Sequence, residues 1–278
     1  MRLTEQQLGF FETFGFLMFP GLLADRIDEI IDGFEEVWQK NGGGHNGQSH
    51  DGLKRSCILP FIDHSARLTS LLDDPRIVGI AASLMGDDFN YLTSDGNYYV
   101  GDTSWHSDGY RTNHSYLHVK MGLYLDPLTR DTGCLRVIPG SHRVSDRYAD
   151  TLQKDIRQSE ELWGVHGRNV PAYALETKPG DLLLFNMNCK HASFGGSTRR
   201  RMFTINFSQR YRDEDLELLR SAIAGESRFW IDRLYREELV QSAGPERRRH
   251  LEQGLANDYH LAELSRQARE RMAEPSRG

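Results

Sequence analysis

The run Trp105-His106-Ser107-Asp108 puts an imidazole and a carboxylate two residues apart at the end of a strand-like stretch. Positions i and i+2 of a strand point to the same side, so His106 and Asp108 can share one metal ion. A second imidazole, His191, follows the strand-like run LLLFN. Two histidines with one carboxylate form the facial set that leaves open positions on non-haem Fe(II). The same three side chains would also serve a zinc or other metal-dependent hydrolase, or a cupin-like isomerase. Beyond His191 the chain reads HASFGGSTRRRMFTINF, which brings Arg199, Arg200 and Arg201 to the start of another strand. A bound dicarboxylate needs a bidentate cation. In strand parity Arg200, Met202, Thr204 and Asn206 share one face, and Arg199, Arg201, Phe203, Ile205 and Phe207 share the other. The first face is the more polar and suits a distal carboxylate. A one-residue slip would hand the role to Arg199 or Arg201.

The elements that must position these groups are legible in the hydrophobic period. Residues 4–40 carry Leu8, Phe11, Phe14, then Ile27, Ile30, Ile31, Phe34 and Val37 at helical spacing, which predicts two amphipathic helices joined by the extended GFLMFPG. The stretch NGGGHNGQSHDG ends the second helix in a glycine-rich surface loop, where His45 and His50 are expected to be solvated. Residues 66–85 predict a further helical segment interrupted at Pro75. From about Tyr91 the period changes to two, in short runs divided by turn residues, the pattern of an antiparallel sandwich or barrel. Between Tyr116 and Leu125 one face takes Leu117, Val119, Met121, Leu123 and Leu125, and the other takes Tyr116, His118, Lys120, Gly122 and Tyr124. Further strands are expected at 95–101, 134–138, 182–187 and 201–208. After Arg212 the texture returns to helix.

Composition narrows the function classes. The 278 residues carry 34 Lys+Arg against 40 Asp+Glu, a formal net charge of -6, which is the wrong sign for a phosphate-backbone partner and argues against nucleic acid. No run approaches the roughly 18 apolar residues of a membrane span. The N-terminus lacks a basic n-region and a small-residue cleavage site, so a cytoplasmic protein is expected. Cys57, Cys134 and Cys189 are odd in number and widely spaced, the pattern of reduced, buried thiols.

In the opening LTEQQLGFFETFGFLMFPGLL, in WHSD, in LYLDPLTRDTGCLRVIPGSH, in KPGDLLLFNMNCKH and in the arginine after HAS, the chain resembles the phytanoyl-CoA dioxygenase-like family of Fe(II)/2-oxoglutarate-dependent oxygenases. The order and spacing of these pieces carry the resemblance, which covers roughly residues 4–210. It implies a mainly β fold with α, a double-stranded β-helix (jelly-roll, cupin-like barrel) flanked by N-terminal and C-terminal helices. The expected organisation is a dioxygenase domain over 1–212 and a helical extension over 213–278, packed on the same domain or pairing with a second copy as a homodimer. The resemblance also implies Fe(II), 2-oxoglutarate and O2 as cofactors, with His106, Asp108 and His191 as iron ligands and Arg200 as the 2-oxoglutarate arginine. Ser193, two residues beyond the distal histidine, matches a cosubstrate-contacting position, and Thr204 lies on the same polar face as Arg200.

The implied reaction is hydroxylation of an unactivated C–H bond with release of succinate and CO2, and the same ligands also support desaturation, cyclisation or epimerisation. Retention of Asp108 favours hydroxylation over halogenation, since related halogenases replace that carboxylate with a small residue. Where relatives often carry a large side chain before the LD pair, this chain has Gly122 or Tyr124. Tyr110, Arg111 and Asn113, just past the metal motif, are the substrate-binding candidates. Their polarity disfavours a fatty acyl chain and suggests a small or medium polar metabolite. Tyr98 and Tyr99 have opposite parities, so one is expected to line the pocket and the other to pack. A non-catalytic jelly-roll binding protein would normally have a broken ligand set, whereas all three ligands are present here.

Overall fold

The computed structural model describes residues 1–109 and 115–278. In chain order the elements are α1 (Glu5–Phe14), β1 (Phe16–Phe19), α2 (Ile27–Lys40), β2 (Ser56–Ile58), α3 (Ala66–Thr69), α4 (Pro75–Met85), β3 (Phe89–Tyr99), β4 (Thr103–His106) and β5 (His118–Tyr124). There follow β6 (Leu135–Val137), α5 (Arg147–Asp155), α6 (Ser159–Trp163), β7 (Tyr173–Leu175), β8 (Leu182–Asn186), β9 (His191–Ser193) and β10 (Arg200–Gln209). The helices α7 (Leu216–Gly225), α8 (Glu237–Gln241), α9 (Pro245–Asn257) and α10 (Leu261–Arg271) close the order. The chain forms two compact units, one of residues Met1–Leu3, Arg26–Tyr98 and Phe203–Gly278, the other of Thr4–Asp25 and Tyr99–Met202.

In the first unit, α2 buries Ile30, Phe34, Val37 and Trp38 along one stripe, with Asp28 and Glu29 in its first turn and Lys40 in its last, as the helix dipole favours. That stripe meets Phe61, Tyr98 and Phe203. Trp38 stacks on Tyr98 at 4.2 Å between ring centroids, and Phe34 lies 5.1 Å from Phe61. Gly96 is obligatory here, because a Cβ would stand 1.9 Å from the Phe61 ring. The helical segment over 66–85 is broken as expected. Asp74 caps α4 by accepting from the Arg76 N–H, and Pro75 takes the first helical position, where no N–H is needed. β2 runs antiparallel to β3, and β10 is hydrogen-bonded along the other edge of β3. The C-terminal helices fasten to β3: the His250 ring stacks on Phe89 at 3.8 Å, and Gln253 accepts from both Asn90 and the Tyr211 N–H.

The glycine-rich loop differs from expectation at His45, which is buried. Its Nδ1 lies 3.2 Å from the Cys57 carbonyl and its Nε2 3.0 Å from that of Pro275. A partner 230 positions away removes it from solvent, and no local composition signals that. His50 also has a partner, with Nδ1 2.8 Å from Ser56 Oγ.

In the second unit α1 opens with a capping box between Thr4 and Gln7 and ends at Gly15, whose φ of 84° is the left-handed conformation that glycine adopts most cheaply. Two antiparallel sheets follow. β1 pairs with β8 and β8 with β5, while β4, β9, β6 and β7 form the second sheet in that order. Phe16, Tyr124, Leu183 and Phe185 from the first meet Leu135, Val137 and Leu175 from the second, with Cys134, Cys189 and Met202 completing the core. All three cysteines are free and buried.

Candidate metal centre and cosubstrate pocket

The centre is built where β4 lies beside β9. His106 and His191 are partners across that antiparallel pair, with their ring centroids 4.2 Å apart. Asp108 reaches them differently from the parity argument, because β4 ends at His106 and Asp108 lies in the bend beyond it. Its backbone N–H donates to the Met187 carbonyl at 2.9 Å, and that bond aims the side chain. Trp105, on the opposite side of β4, anchors the strand: it is buried and donates its indole N–H to the Gly167 carbonyl at 2.9 Å.

The donor atoms suit a cation. One atom each from His106, Asp108 and His191 lie within 4.8 Å of one another. Each imidazole is pinned through Nδ1 to a carbonyl, His106 to Ser104 at 2.8 Å and His191 to Cys189 at 3.0 Å. A carbonyl only accepts, so Nδ1 carries a proton, and Nε2 is the atom that bears the lone pair in the neutral ring. Those Nε2 atoms stand 3.6 and 3.8 Å from the Asp108 oxygens. Fixing the tautomer through the outer nitrogen is how metal-binding histidines are held. Burial lowers the His191 pKa to about 3, so the ring is neutral and ready to coordinate at neutral pH. Burial on its own would raise the Asp108 pKa. The Lys120 ammonium, 2.8 Å from Oδ2, overcomes that together with the two histidines and holds the carboxyl below its usual range.

The arginine triplet divides as strand parity requires. Arg199 is exposed, and Arg201 is engaged by Asp126, whose carboxylate accepts its Nη2 at 2.6 Å and its backbone N–H at 2.9 Å. Arg200 is 3% exposed. Its Nη2 donates to Ser193 Oγ at 2.9 Å, its guanidinium lies 5.2 Å from the Tyr99 ring centroid, and its Nε has no hydrogen-bond partner among the described residues. No carboxylate among the described residues pairs with it. A buried guanidinium in that condition is costly unless an anion completes it. Two glycines make its space: a Cβ on Gly133 would stand 2.0 Å from Nη1, and one on Gly196 2.1 Å from the same atom.

Other sequence expectations resolve as follows. Of the tyrosine pair, Tyr99 lies under Arg200 while Tyr98 packs on Trp38 and donates to Glu35 at 2.8 Å. Thr204 is buried in the first unit, with its hydroxyl donating to Asp95. The substrate candidates Tyr110, Arg111 and Asn113 lie outside the described residues. Sequence reasoning missed the two glycines and the Lys120–Asp108 contact. The signal for the latter was a lysine on the polar face of an otherwise apolar strand.

Residues 11–203 match the phytanoyl-CoA dioxygenase (PhyH) family, and the chain belongs to it. Ectoine dioxygenase of Sphingopyxis alaskensis is 31% identical over 166 residues, 51% of this chain and 53% of that protein. The chain thus spans about half the length of that relative. Among solved structures, the non-haem α-ketoglutarate-dependent carbocyclase SnoK from nogalamycin biosynthesis shares the fold, with a TM-score of 0.59 and 22% identity over 78% of this chain and 90% of its own. HygX from Streptomyces hygroscopicus, solved with nickel and 2-oxoglutarate bound, gives a TM-score of 0.57 at 18% identity over 76% of this chain and 89% of its own. The jelly-roll expectation is borne out, and the His106, Asp108 and His191 set fits an iron site. No described helix is long and apolar enough to cross a membrane.

Proposed function

We propose that this protein is an Fe(II)- and 2-oxoglutarate-dependent dioxygenase that hydroxylates a C–H bond of a small or medium polar metabolite. One oxygen atom of O2 enters the product and the other enters succinate, with CO2 released from 2-oxoglutarate. The observation that carries this reading is the pairing of two features in one unit. Two imidazoles are fixed through Nδ1 with Nε2 beside one carboxylate, and a buried arginine lacks a carboxylate partner among the described residues.

His106, Asp108 and His191 would hold the iron, which supplies O2 activation when bound. Arg200 would take the distal carboxylate of 2-oxoglutarate, with Ser193 fixing the guanidinium through its hydroxyl. Thr204 donates its hydroxyl to Asp95, which leaves its oxygen free only to accept. Phe185, 4.9 Å from the His191 ring, and the core around Tyr124 exclude water from the inner side of the site. Tyr110, Arg111 and Asn113 follow the ligands directly in sequence, and we assign substrate contacts to them. The C-terminal helices are the proposed face for a homodimer.

A second outcome with the same ligands has one specific support, since a carbocyclase shares the fold. Cyclisation, desaturation or epimerisation would retain every role named above. Succinate formation from 2-oxoglutarate in air, dependent on added Fe(II) and abolished in His191→Ala, tests the shared chemistry. Iron-independent turnover, or none across a broad substrate set, contradicts it.

A further inference from the structure

We propose that Gln153 and Arg157 are positioning residues for the metal centre, setting the His106–Asp108 arm from the helical layer behind β4. This rests on the iron reading above and deepens it. His106 and Asp108 are separated by one residue, so the soft backbone dihedrals around Ser107 set the angle between the two ligands. Regular strand pairing does not fix that angle. Between Thr103, opposite Ser193, and His106, opposite His191, β4 takes three steps where β9 takes two. Such a bulge leaves a residue out of the ladder and re-aims the side chains that follow it. Asp108 lies beyond the end of β4 altogether.

Side chains of the helical layer supply what the ladder lacks. Ser107 Oγ donates to Gln153 Oε1 at 2.9 Å, and the Trp105 carbonyl accepts from Arg157 Nε at 3.0 Å. The other carbonyl within the bulge, that of Ser104, accepts from His106 Nδ1. Gln153 lies on α5 and Arg157 on the short 3-10 turn Ile156–Gln158 that continues it, four residues on, so the two share a face. That face is held in place independently of the ligands. Asp146 caps α5 by accepting from the Tyr148 N–H, and Leu152 and Ile156 join Trp105, Ala192 and Phe194 in one buried cluster. Ala192 stands between His191 and Ser193 on β9, so the cluster packs on the side of that strand away from His191. A rigid helical layer thus grips the ligand arm at the residue between the two ligands and at the bulge before them.

The test uses the full chain with Co(II) as the probe, read by titration and by its visible ligand-field bands, which report coordination geometry. Gln153→Leu removes the acceptor at a half-buried position and keeps the helix propensity. This variant and Arg157→Met should each weaken Co(II) binding by roughly 10- to 100-fold, the usual cost of losing a group that orients a metal ligand, and alter the bands. Ser107→Ala should match Gln153→Leu, and the double variant should bind no more weakly than either, because the two remove one bond. Arg157→Lys should recover most of the affinity, since an ammonium also donates to a carbonyl. Thermal unfolding of each apoprotein reports folding separately.

Wild-type Co(II) affinity and bands in Gln153→Leu or in Arg157→Met overturn the assignment of that residue, and additive losses in the Ser107→Ala, Gln153→Leu pair overturn the shared bond. A lower unfolding temperature with unchanged Co(II) binding also overturns the proposal, by making both residues structural only. Wild type that takes up no Co(II) overturns it together with the metal reading. Failure of the oxygenase reading is distinguishable, because wild type would then bind Co(II), with the losses above in the variants, yet show no charge-transfer band with Fe(II) and 2-oxoglutarate.

Discussion

Gly196→Ala tests the arginine pocket without touching a ligand. A methyl group at this position would stand 2.1 Å from Arg200 Nη1 and 2.4 Å from the Gly101 carbonyl oxygen, whereas ordinary contact begins at 3.4 Å. The guanidinium must give way by roughly 1 Å, and the Gly101 backbone must shift as well. That displacement breaks the fork geometry needed for a carboxylate. The expected loss is that of one charge-assisted hydrogen bond, about 1.5–3 kcal/mol, or an increase of roughly 10- to 100-fold in the dissociation constant for 2-oxoglutarate. Metal binding should survive, because His106, Asp108 and His191 are positioned by β4, β9 and the Met187 carbonyl. Calorimetric titration of the Co(II)-loaded protein with 2-oxoglutarate, beside a Co(II) titration of the apoprotein, separates the two effects. An unchanged 2-oxoglutarate affinity in a folded, metal-competent Gly196→Ala protein would refute the assignment of Arg200.

Three further outcomes concern the first unit and α1. Burial raises the Asp63 pKa to about 7, so between its ordinary value and pH 7 the folded chain holds a proton the unfolded chain has lost, and stability falls as pH rises. Burial lowers the neighbouring His64 to about 4, so between pH 4 and its ordinary value the unfolded chain holds the extra proton, and stability rises with pH. Relative to wild type, urea unfolding at several values between pH 4 and pH 7 should therefore show a profile that rises more steeply with pH in Asp63→Asn and less steeply in His64→Gln, and profiles parallel to wild type would contradict both assignments. Phe34→Ala removes a ring fully buried among Trp38, Phe61, Tyr98 and Phe203 and should cost about 3–5 kcal/mol in the same measurement. Gly9→Ala, on the exposed side of α1 with nothing within 4 Å of the new methyl group, should stabilise by about 0.5–1 kcal/mol.

Local pattern made some of this architecture legible and left other parts hidden, for identifiable reasons. Alternation over Tyr116–Leu125 identified β5 because its odd face is fully packed: Val119 and Met121 are 0% exposed. The same alternation separated Arg200 from its neighbours, since a strand with one buried face cannot slip by a residue without exposing that face. Asp108 was reached by its spacing from His106, although the bond from its N–H to the Met187 carbonyl places it, not a shared strand face. The Gly133–Gly196 cradle was illegible because it is a contact between segments far apart in sequence. The burial of His45 was hidden for the same reason, its second partner being the carbonyl of Pro275. Periodicity reports which face is buried, and only tertiary structure reports against what.

Anaerobic addition of Fe(II) and then 2-oxoglutarate to the apoprotein tests the central claim most directly. A weak visible charge-transfer band that requires both additions is expected. It should be absent in His191→Ala and need far more 2-oxoglutarate in Arg200→Ala. Stoichiometric iron binding with no such band in the wild-type protein would contradict it.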